Sequence, residues 1–167
     1  LSDYNNDGWT DLFISNDFFE KDYLYVNNKD GTFSEESENF FQSLSLGSMG
    51  ADSSDLDNDL LTDLIVTEML PKSLKRKKTK AIYESWDKYS LANSKGYYHQ
   101  FPRNVLQRNY GPSGFLEIGR YSGLSATDCS WASMIFDMDN DGLRDVFIAN
   151  GIYKDLLDRD YLAYMAN

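Results

Sequence analysis

An acidic loop of fixed spacing occurs three times in this chain of 167 residues, and each copy runs directly into a short apolar segment. The copies cover residues 3–11, 55–63 and 137–145, and we call them loop 1, loop 2 and loop 3. Oxygen-bearing side chains stand at positions 1, 3, 5 and 9 of every copy. Carboxylates this close together repel one another at neutral pH, so the repeated spacing predicts a hard divalent cation in each loop.

The predicted ligands are the side-chain oxygens at these four positions and the backbone carbonyl at position 7. Calcium binds about six to eight oxygens at about 2.3–2.6 Å, and a tight loop with oxygens at alternate positions supplies them. Because position 7 contributes only its backbone, its side chain is free to vary. The candidate metal ligands are therefore Asp3, Asn5, Asp7, Trp9 and Asp11 in loop 1; Asp55, Asp57, Asp59, Leu61 and Asp63 in loop 2; and Asp137, Asp139, Asp141, Leu143 and Asp145 in loop 3.

The residues that follow each loop distinguish it from an EF-hand. An EF-hand requires a bidentate Glu at position 12 and helices on both sides. Here position 12 is Ile14, Val66 or Ile148, in short apolar runs whose β-branched and aromatic residues predict strands. Each loop is therefore expected to join two strands, with position 9 replacing the missing Glu. The alternative is that Asp, Asn and Gly merely form turns, which three copies in one register disfavour.

Loop 2 departs from the pattern at position 6. Gly8 and Gly142 stand there in loops 1 and 3, whereas loop 2 has Leu60. Glycine takes a positive φ without the steric cost of about 1–2 kcal/mol that a side chain brings. We therefore expect up to three calcium ions, with loop 2 as the weakest site.

Composition favours a folded domain and assigns much of the acidity to the loops. Hydrophobic residues make up 41% of the chain and aromatic residues 15%, which is enough for a sizeable core. Eleven of the 27 acidic residues lie in the three loops, so three calcium ions would change the formal charge from −11 to −5. No apolar stretch is long enough for a membrane span. The single cysteine, Cys129, allows no internal disulfide and is expected to be buried.

A shift of 82 residues superimposes two units of about 45 residues, 24–68 and 106–150. In each unit the pattern predicts a hairpin, at 23–27 with 32–36 and at 104–109 with 115–119, followed by a strand pair around the acidic loop. Four short antiparallel strands recurring every 40 to 50 residues are typical of β-propeller blades.

Several motifs resemble the FG-GAP, or VCBS, repeats of integrin α-type β-propellers. They are Asp-Leu-Phe-Ile-Ser-Asn after loop 1, the hairpin over 24–33 and the Gly-Ala-Asp approach at 50–52. The segments 97–104 and 149–155 are similar to large envelope or secreted proteins of Bacteroidota-type bacteria and to cartilage-acidic-protein-like proteins with a UnbV/ASPIC domain. The resemblance implies calcium in the blade loops and a location outside the cytoplasm, either extracellular or in the bacterial cell envelope.

The expected fold class is all-β, a section of a calcium-binding β-propeller of about two and a half blades, with an inserted helix and a C-terminal helix. We expect residues 1–17 to be the end of a blade, 22–68 a blade, 71–102 a helical basic insertion, 103–150 a blade and 151–167 a helix. Because the chain opens inside a metal loop, we expect it to be a piece of a longer protein, whose remaining blades are its partners.

The insertion holds six of the sixteen basic residues, Lys72, Lys75, Arg76, Lys77, Lys78 and Lys80. Ile82, Trp86 and Tyr89 follow at helical spacing and predict one apolar stripe. One hypothesis is a basic-faced helix lying across the propeller. The other is an anion-binding patch for nucleic acid, acidic glycan or a membrane surface. The net acidic charge and the lack of aromatic residues within the run disfavour nucleic acid.

Residues with helical spacing also predict a terminal helix of three to four turns. They are Ile152, Tyr153, Leu156, Leu157, Tyr161 and Tyr164.

The sequence predicts a binding module and not an enzyme. His99 is the only histidine and no serine or cysteine motif accompanies it, so no set of nucleophile, base and orienting residue can be assembled. We expect His99 to be packed or hydrogen-bonded. The predicted role is an extracellular platform for a protein or glycan ligand, with no nucleic acid and no transmembrane segment. The alternatives are part of a calcium-dependent polysaccharide-active enzyme of the lyase type, or a structural spacer.

Overall fold

The computed structural model describes residues 1–18, 20–80, 85–154 and 158–166. Within this part of the chain the protein is mostly β, with eleven strands and four short α-helices. In chain order these are β1 (Leu12–Ile14), β2 (Tyr23–Asn27), β3 (Phe33–Glu35), α1 (Ser37–Phe40), β4 (Leu44–Ser45), β5 (Gly50–Ser54), β6 (Asp63–Thr67), α2 (Leu74–Thr79), α3 (Trp86–Ser94), β7 (Gln100–Phe101), β8 (Val105–Asn109), β9 (Phe115–Glu117), β10 (Ser130–Phe136), β11 (Asp145–Asn150) and α4 (Arg159–Met165).

Three antiparallel sheets contain most of these strands. Sheet 1 has the order β1-β2-β3, sheet 2 the order β5-β6-β8-β9, and sheet 3 pairs β10 with β11. Loops 1, 2 and 3 each lead into one sheet, through β1, β6 and β11 respectively. A short parallel pair of β4 with β7 lies outside these sheets. The predicted hairpins and the strands after each loop are thereby confirmed.

Sheet 2 lies between the other two sheets and is buried on both faces. Leu64 and Val66 in β6 pack with Leu24 of sheet 1 in one apolar cluster, while Ile65 packs with Ile135 of sheet 3 in another. Successive side chains of a strand point to opposite faces, which explains how one strand serves two cores. All five residues of β6 are buried, as expected of a strand covered on both sides.

Sheets 2 and 3 approach closely where β5 meets β10. A Cβ on Gly50 would lie 2.7 Å from the carbonyl oxygen of Trp131, so only glycine fits there. Nearby, the backbone N–H of Ile135 donates to Oδ2 of Asp52 at 2.7 Å. The Gly-Ala-Asp segment at 50–52 therefore serves as a packing surface for the next sheet.

The sheet boundaries differ from the predicted division of the chain. Residues 22–68, expected to form one blade, contribute β2 and β3 to sheet 1 and β5 and β6 to sheet 2. Residues 103–150 are divided in the same way between sheets 2 and 3. A sequence repeat determines the spacing of equivalent strands but not where one sheet ends and the next begins. In the four-stranded sheet 2, the strand pair around loop 2 comes first and the hairpin that follows it in the chain comes second.

The helices are shorter than predicted. The insertion over 71–102 contains two helices, α2 and α3. Of the predicted apolar stripe, Trp86 is 76% exposed and Tyr89 is half-buried against Phe101. Ile82 lies outside the described residues. The C-terminal helix α4 begins only at Arg159, so Ile152 and Tyr153 precede it, and the predicted Leu156 and Leu157 also lie outside the described residues. No helix in the described ranges is long and apolar enough to cross a membrane.

Two single residues take the environments that the sequence predicts. Cys129 is buried with 4% of its surface exposed. The Nδ1 atom of His99 lies 2.7 Å from the hydroxyl of Tyr89, so the imidazole is hydrogen-bonded as expected.

Candidate metal sites in three acidic loops

The three loops share one hydrogen-bond pattern. In loop 2 the carboxylate of Asp55 at position 1 accepts hydrogen bonds from the backbone N–H groups of Asp59 and Leu60, at 3.0 and 2.9 Å. The carboxylate at position 5 accepts one from the N–H of Leu61 at 2.9 Å. Loops 1 and 3 repeat all three bonds within 0.2 Å. These bonds give the backbone of all three loops the same curl.

Carboxylate oxygens meet closely in two loops. One oxygen from each of Asp55, Asp57 and Asp59 lies within 4.8 Å of the others, and the same holds for Asp137, Asp139 and Asp145. Two oxygens bound to one calcium ion at about 2.4 Å are at most about 4.8 Å apart, so each cluster is compact enough for one ion to contact all three carboxylates. In loop 1, Asn5 takes the place of one carboxylate, and its amide donates to Asp7 at 3.0 Å.

The position-9 carboxylates of loops 1 and 2 connect the loop to a neighbouring strand of its sheet. Oδ2 of Asp63 accepts from the backbone N–H of Leu56, while Oδ1 accepts from the N–H of Asn109 in β8 at 2.8 Å. Asp11 in loop 1 makes the equivalent pair of bonds, to Tyr4 and to Asn27 in β2. Both residues are almost completely buried, with 0% of the surface of Asp11 and 1% of that of Asp63 exposed. Burial is the largest influence on the pKa of Asp63 and raises it.

Position 9 of loop 3 has a more open environment. Asp145 is exposed, and among the described residues its carboxylate accepts one hydrogen bond, from the backbone N–H of Met138 at 3.0 Å. Within the described residues, sheet 3 has no strand equivalent to β2 or β8. Without a hydrogen bond from such a strand, one carboxylate oxygen of Asp145 lies in the cluster with Asp137 and Asp139.

Two positions in each loop have left-handed backbone conformations. Position 6 has a positive φ in all three loops, at +86° for Gly8, +68° for Leu60 and +88° for Gly142. Leu60 therefore adopts the strained conformation that the sequence predicts, and its side chain is 84% exposed. The asparagine at position 4 is also left-handed in every copy, which the sequence analysis did not predict although asparagine tolerates this conformation well.

The position-7 residues each donate their backbone N–H to the position-5 carboxylate of the same loop. Trp9 is 49% exposed and Leu143 is 59% exposed, while Leu61 is half-buried. Their variation is therefore compatible with the predicted role of the position-7 carbonyl.

Neighbouring loops contact each other. The hydroxyl of Ser2, just before loop 1, lies 3.1 Å from that of Thr62 in loop 2. The side-chain amide of Asn58 in loop 2 donates to the carbonyl of Gly142 in loop 3 at 3.1 Å. The three acidic loops therefore lie side by side at one end of the stacked sheets, which concentrates their negative charge.

Basic side chains pair with two of the loops. Nζ of Lys29 lies 3.1 Å from Oδ2 of Asp7 in loop 1, and the guanidinium of Arg108 contacts Asp57 in loop 2. Desolvation alone would raise the pKa of Asp7, but hydrogen bonds from Lys29, Trp9 and Asn5 outweigh it and hold the pKa below its ordinary value. These cations reduce the repulsion among carboxylates and would compete with a metal ion.

Two asparagines hold the loops in place and were not identified from the sequence as site residues. Nδ2 of Asn109 donates to the carbonyls of Tyr4 in loop 1 and Thr62 in loop 2, at 3.0 and 3.1 Å. Asn27 makes a related bond to the carbonyl of Thr10 at 3.1 Å. The signal was present, because the 82-residue shift superimposes Asn27 on Asn109.

The donor set fits calcium better than a transition metal. Every predicted side-chain ligand is a carboxylate or amide oxygen, and hard cations such as calcium prefer oxygen, whereas zinc favours sulfur and nitrogen.

The protein belongs to the structural class of stacked antiparallel sheets that each have an acidic loop at the same end. Residues 3–66, from loop 1 to β6, match the family model of the FG-GAP-like repeat. No curated protein and no solved structure matches the chain.

Proposed function

We propose that this chain is a section of a calcium-stabilised β-propeller of the FG-GAP type that acts as a binding platform outside the cytoplasm. The observation that supports the proposal most strongly is the repetition of one loop geometry at the same end of three stacked sheets. The family match over residues 3–66 supports the same assignment. In this proposal sheet 2 is a complete blade, and sheets 1 and 3 are parts of neighbouring blades.

Calcium has a clear structural role in this arrangement. The acidic loops are adjacent, so their carboxylates repel one another unless cations lie between them. Up to three calcium ions bind, one in each loop, and hold the ends of the sheets together. Loop 2 is the weakest site, because Leu60 has a strained backbone and Arg108 already pairs with Asp57. Affinities of about 10⁻⁴–10⁻³ M suit an extracellular module, since calcium is abundant there.

The proposed platform role rests on the rigidity of the packed sheets. The three sheets are packed on two shared cores, and the loops are held by buried side chains such as Asn109. We therefore propose that the module is not an enzyme and binds a protein or a glycan in the extracellular space or the bacterial cell envelope. The similarity to Bacteroidota proteins with UnbV/ASPIC domains belongs to this proposal.

Calorimetric titration with calcium tests the metal assignment. We expect binding by the original chain, loss of a site in Asp139→Ala and a smaller loss in Asp57→Ala, because loop 2 is the weaker site. Asp87→Ala is the matched control, since Asp87 is an exposed aspartate on α3 away from the loops. Unchanged titrations for both loop variants would contradict the assignment. Incubation with polysaccharides then separates the roles: retention without turnover indicates a platform, whereas product formation indicates a lyase.

A further inference from the structure

Helix α2 places the basic residues of the insertion on two sides. The inner side contacts the rest of the protein, and the outer side faces solvent. Residues three apart on a helix lie on one face, and Arg76 and Thr79 are half-buried on the inner side. Lys75 and Lys78 are exposed on the outer side, and Lys72 is exposed just before the helix. We call Lys72, Lys75 and Lys78, together with the half-buried Lys77, the α2 basic face.

The inner side fixes α2 to the rest of the protein. Nε of Arg76 lies 2.6 Å from Oδ2 of Asp128, and the same guanidinium lies 4.0 Å from Asp158. The hydroxyl of Thr79 lies 3.3 Å from Oδ2 of Asp158, and the ammonium of Lys80 contacts the carbonyl of Met69. The side chain of Ser73 caps the helix by accepting from the N–H of Arg76. The helix is therefore held in one orientation, with its outer side toward solvent.

The outer side has unbalanced positive charge. None of the four lysines of the α2 basic face makes an ion pair or hydrogen bond through its side chain with any residue that the structure describes. Without these four lysines, the remaining 12 basic and 27 acidic residues of the chain give a charge of −15. Like charges clustered on so short a helix repel one another, and a protein with an acidic surface elsewhere has no need of them for solubility.

We propose that the α2 basic face binds an acidic polysaccharide, which narrows the proposed platform function to one class of partner and rests on that function. The six residues of α2 span about 9 Å, which matches a few acidic groups along a flexible chain. Lysine presents a compact charge with freely rotating donors, which suits sulfate or carboxylate groups of variable orientation. The single arginine of the run, with the fork geometry that suits phosphate, is paired on the inner side.

Charge and shape favour a glycan over the other polyanions. A DNA duplex carries about one charge per 1.7 Å along its axis and would extend past α2 toward the acidic remainder of the chain. Single-stranded nucleic acid is held mainly by stacking on aromatic side chains, and α2 has none. An anionic membrane is disfavoured because Leu74, 68% exposed, is the only apolar residue of α2 and a broad apolar face is needed for insertion.

The test compares two triple variants of equal charge. Lys72→Ser/Lys75→Ser/Lys78→Ser removes the exposed lysines of the α2 basic face. Lys95→Ser/Arg120→Ser/Lys154→Ser removes three exposed basic residues elsewhere, and both variants have a formal charge of −14. Binding is measured by calorimetry against a heparin fragment, polygalacturonate, single-stranded DNA of similar length and vesicles containing phosphatidylserine.

The expected result is binding to heparin or polygalacturonate that weakens as salt rises from about 50 to about 300 mM. The α2 variant should bind at least tenfold more weakly, and the control variant within about twofold of the original chain. Equal loss in both variants, tighter binding to DNA or vesicles, or no binding to either glycan would overturn the proposal. Calcium-dependent melting of the same samples reports separately on the metal loops, so loss of glycan binding alone leaves the propeller assignment intact.

Discussion

The carboxylate of Asp63 joins loop 2 to β8 through a 2.8 Å hydrogen bond from the backbone N–H of Asn109. Its second oxygen accepts from the N–H of Leu56 at 2.9 Å, so one buried side chain connects the start of the loop, its end and the next strand. Asp11 and Asn27 repeat the relationship in sheet 1 at 2.9 Å. Position 9 of the loop therefore has a structural role that does not depend on a metal ion.

Replacing Asp63 by alanine should destabilise the protein even without calcium. The change removes the acceptor of the buried Asn109 N–H and of the part-buried Leu56 N–H, and an unsatisfied buried donor costs about 1–3 kcal/mol. We expect a loss of about 2–5 kcal/mol in the free energy of unfolding, measured by urea denaturation in EGTA. Asp59→Ala is the control, because Asp59 is exposed and the loss should stay below about 1 kcal/mol. Equal losses would show that position 9 has no special structural role.

Replacing Leu60 by glycine should stabilise loop 2 and strengthen its calcium binding. The φ of +68° is strained for leucine, and the side chain is 84% exposed, so little packing is lost. We expect a gain of about 1 kcal/mol in the free energy of unfolding. The reciprocal change, Gly142→Leu in loop 3, should cost a similar amount. Urea denaturation and calcium calorimetry on both variants check the prediction, and a destabilised Leu60→Gly protein would contradict it.

Removing the guanidinium beside loop 2 should raise its affinity for calcium. Arg108 contacts Asp57, so it competes with a metal ion for that carboxylate. Arg108→Gln is expected to bind calcium several-fold more tightly at loop 2, measured by calorimetry. Lys95→Gln changes the net charge equally at an exposed position and should have little effect. Weaker calcium binding in Arg108→Gln would mean that the guanidinium orients the loop instead of competing for it.

Replacing Asp22 by asparagine should remove a pH dependence of stability. Burial raises the pKa of Asp22 to about 7, although its carboxylate accepts from the N–H of Asn16 and the hydroxyl of Ser48, both at 2.8 Å. An acid whose folded pKa exceeds its unfolded value of about 3.9 favours the folded state less as pH rises between the two values. The contribution of Asp22 should therefore fall by roughly 2–4 kcal/mol from about pH 4 to about pH 7 and then stay constant.

Urea denaturation of the original chain and of Asp22→Asn across this pH range measures the effect as a difference between the two proteins. The equivalent residue in the other unit is Asn104, whose side-chain oxygen accepts from the N–H of Glu68 at 2.7 Å, so asparagine fits this type of position. We expect the variant to be relatively more stable near pH 8 than near pH 5. A difference that does not change with pH would show that Asp22 remains ionised or is not buried.

The sequence predicted the strands and hairpins whose residue pattern is compatible with only one local structure. The apolar runs after the loops become strands because alternate faces of β6 are covered by different sheets, and the glycine-containing turns produce the two hairpins. The spacing of the repeat alone did not show at which strand one sheet ends and the next begins. It depends on long-range bonds such as that between Asp63 and Asn109, which tie each loop to the hairpin after it.

The sequence predicted which residues form the acidic loops but not all of the hydrogen bonds that these residues make. Spacing identified the converging carboxylates of loops 2 and 3 and the left-handed backbone of Leu60. It did not indicate that Asp11 and Asp63 are buried hydrogen-bond acceptors, because their partners are 16 and 46 residues away. The parallel pair of β4 and β7 was missed for the same reason, since the strands are two residues long and lie on either side of the insertion.

The thermal melt of the chain in calcium, in magnesium and in EGTA tests the central claim most directly. If the three loops are metal sites that hold the ends of the sheets together, calcium should raise the melting temperature by several degrees, because a ligand that binds only the folded state stabilises it. Magnesium should raise it much less, since it requires a tighter octahedral arrangement and gives up its water reluctantly. Identical melting temperatures in calcium and EGTA would contradict the calcium-stabilised propeller and reduce the acidic loops to turns.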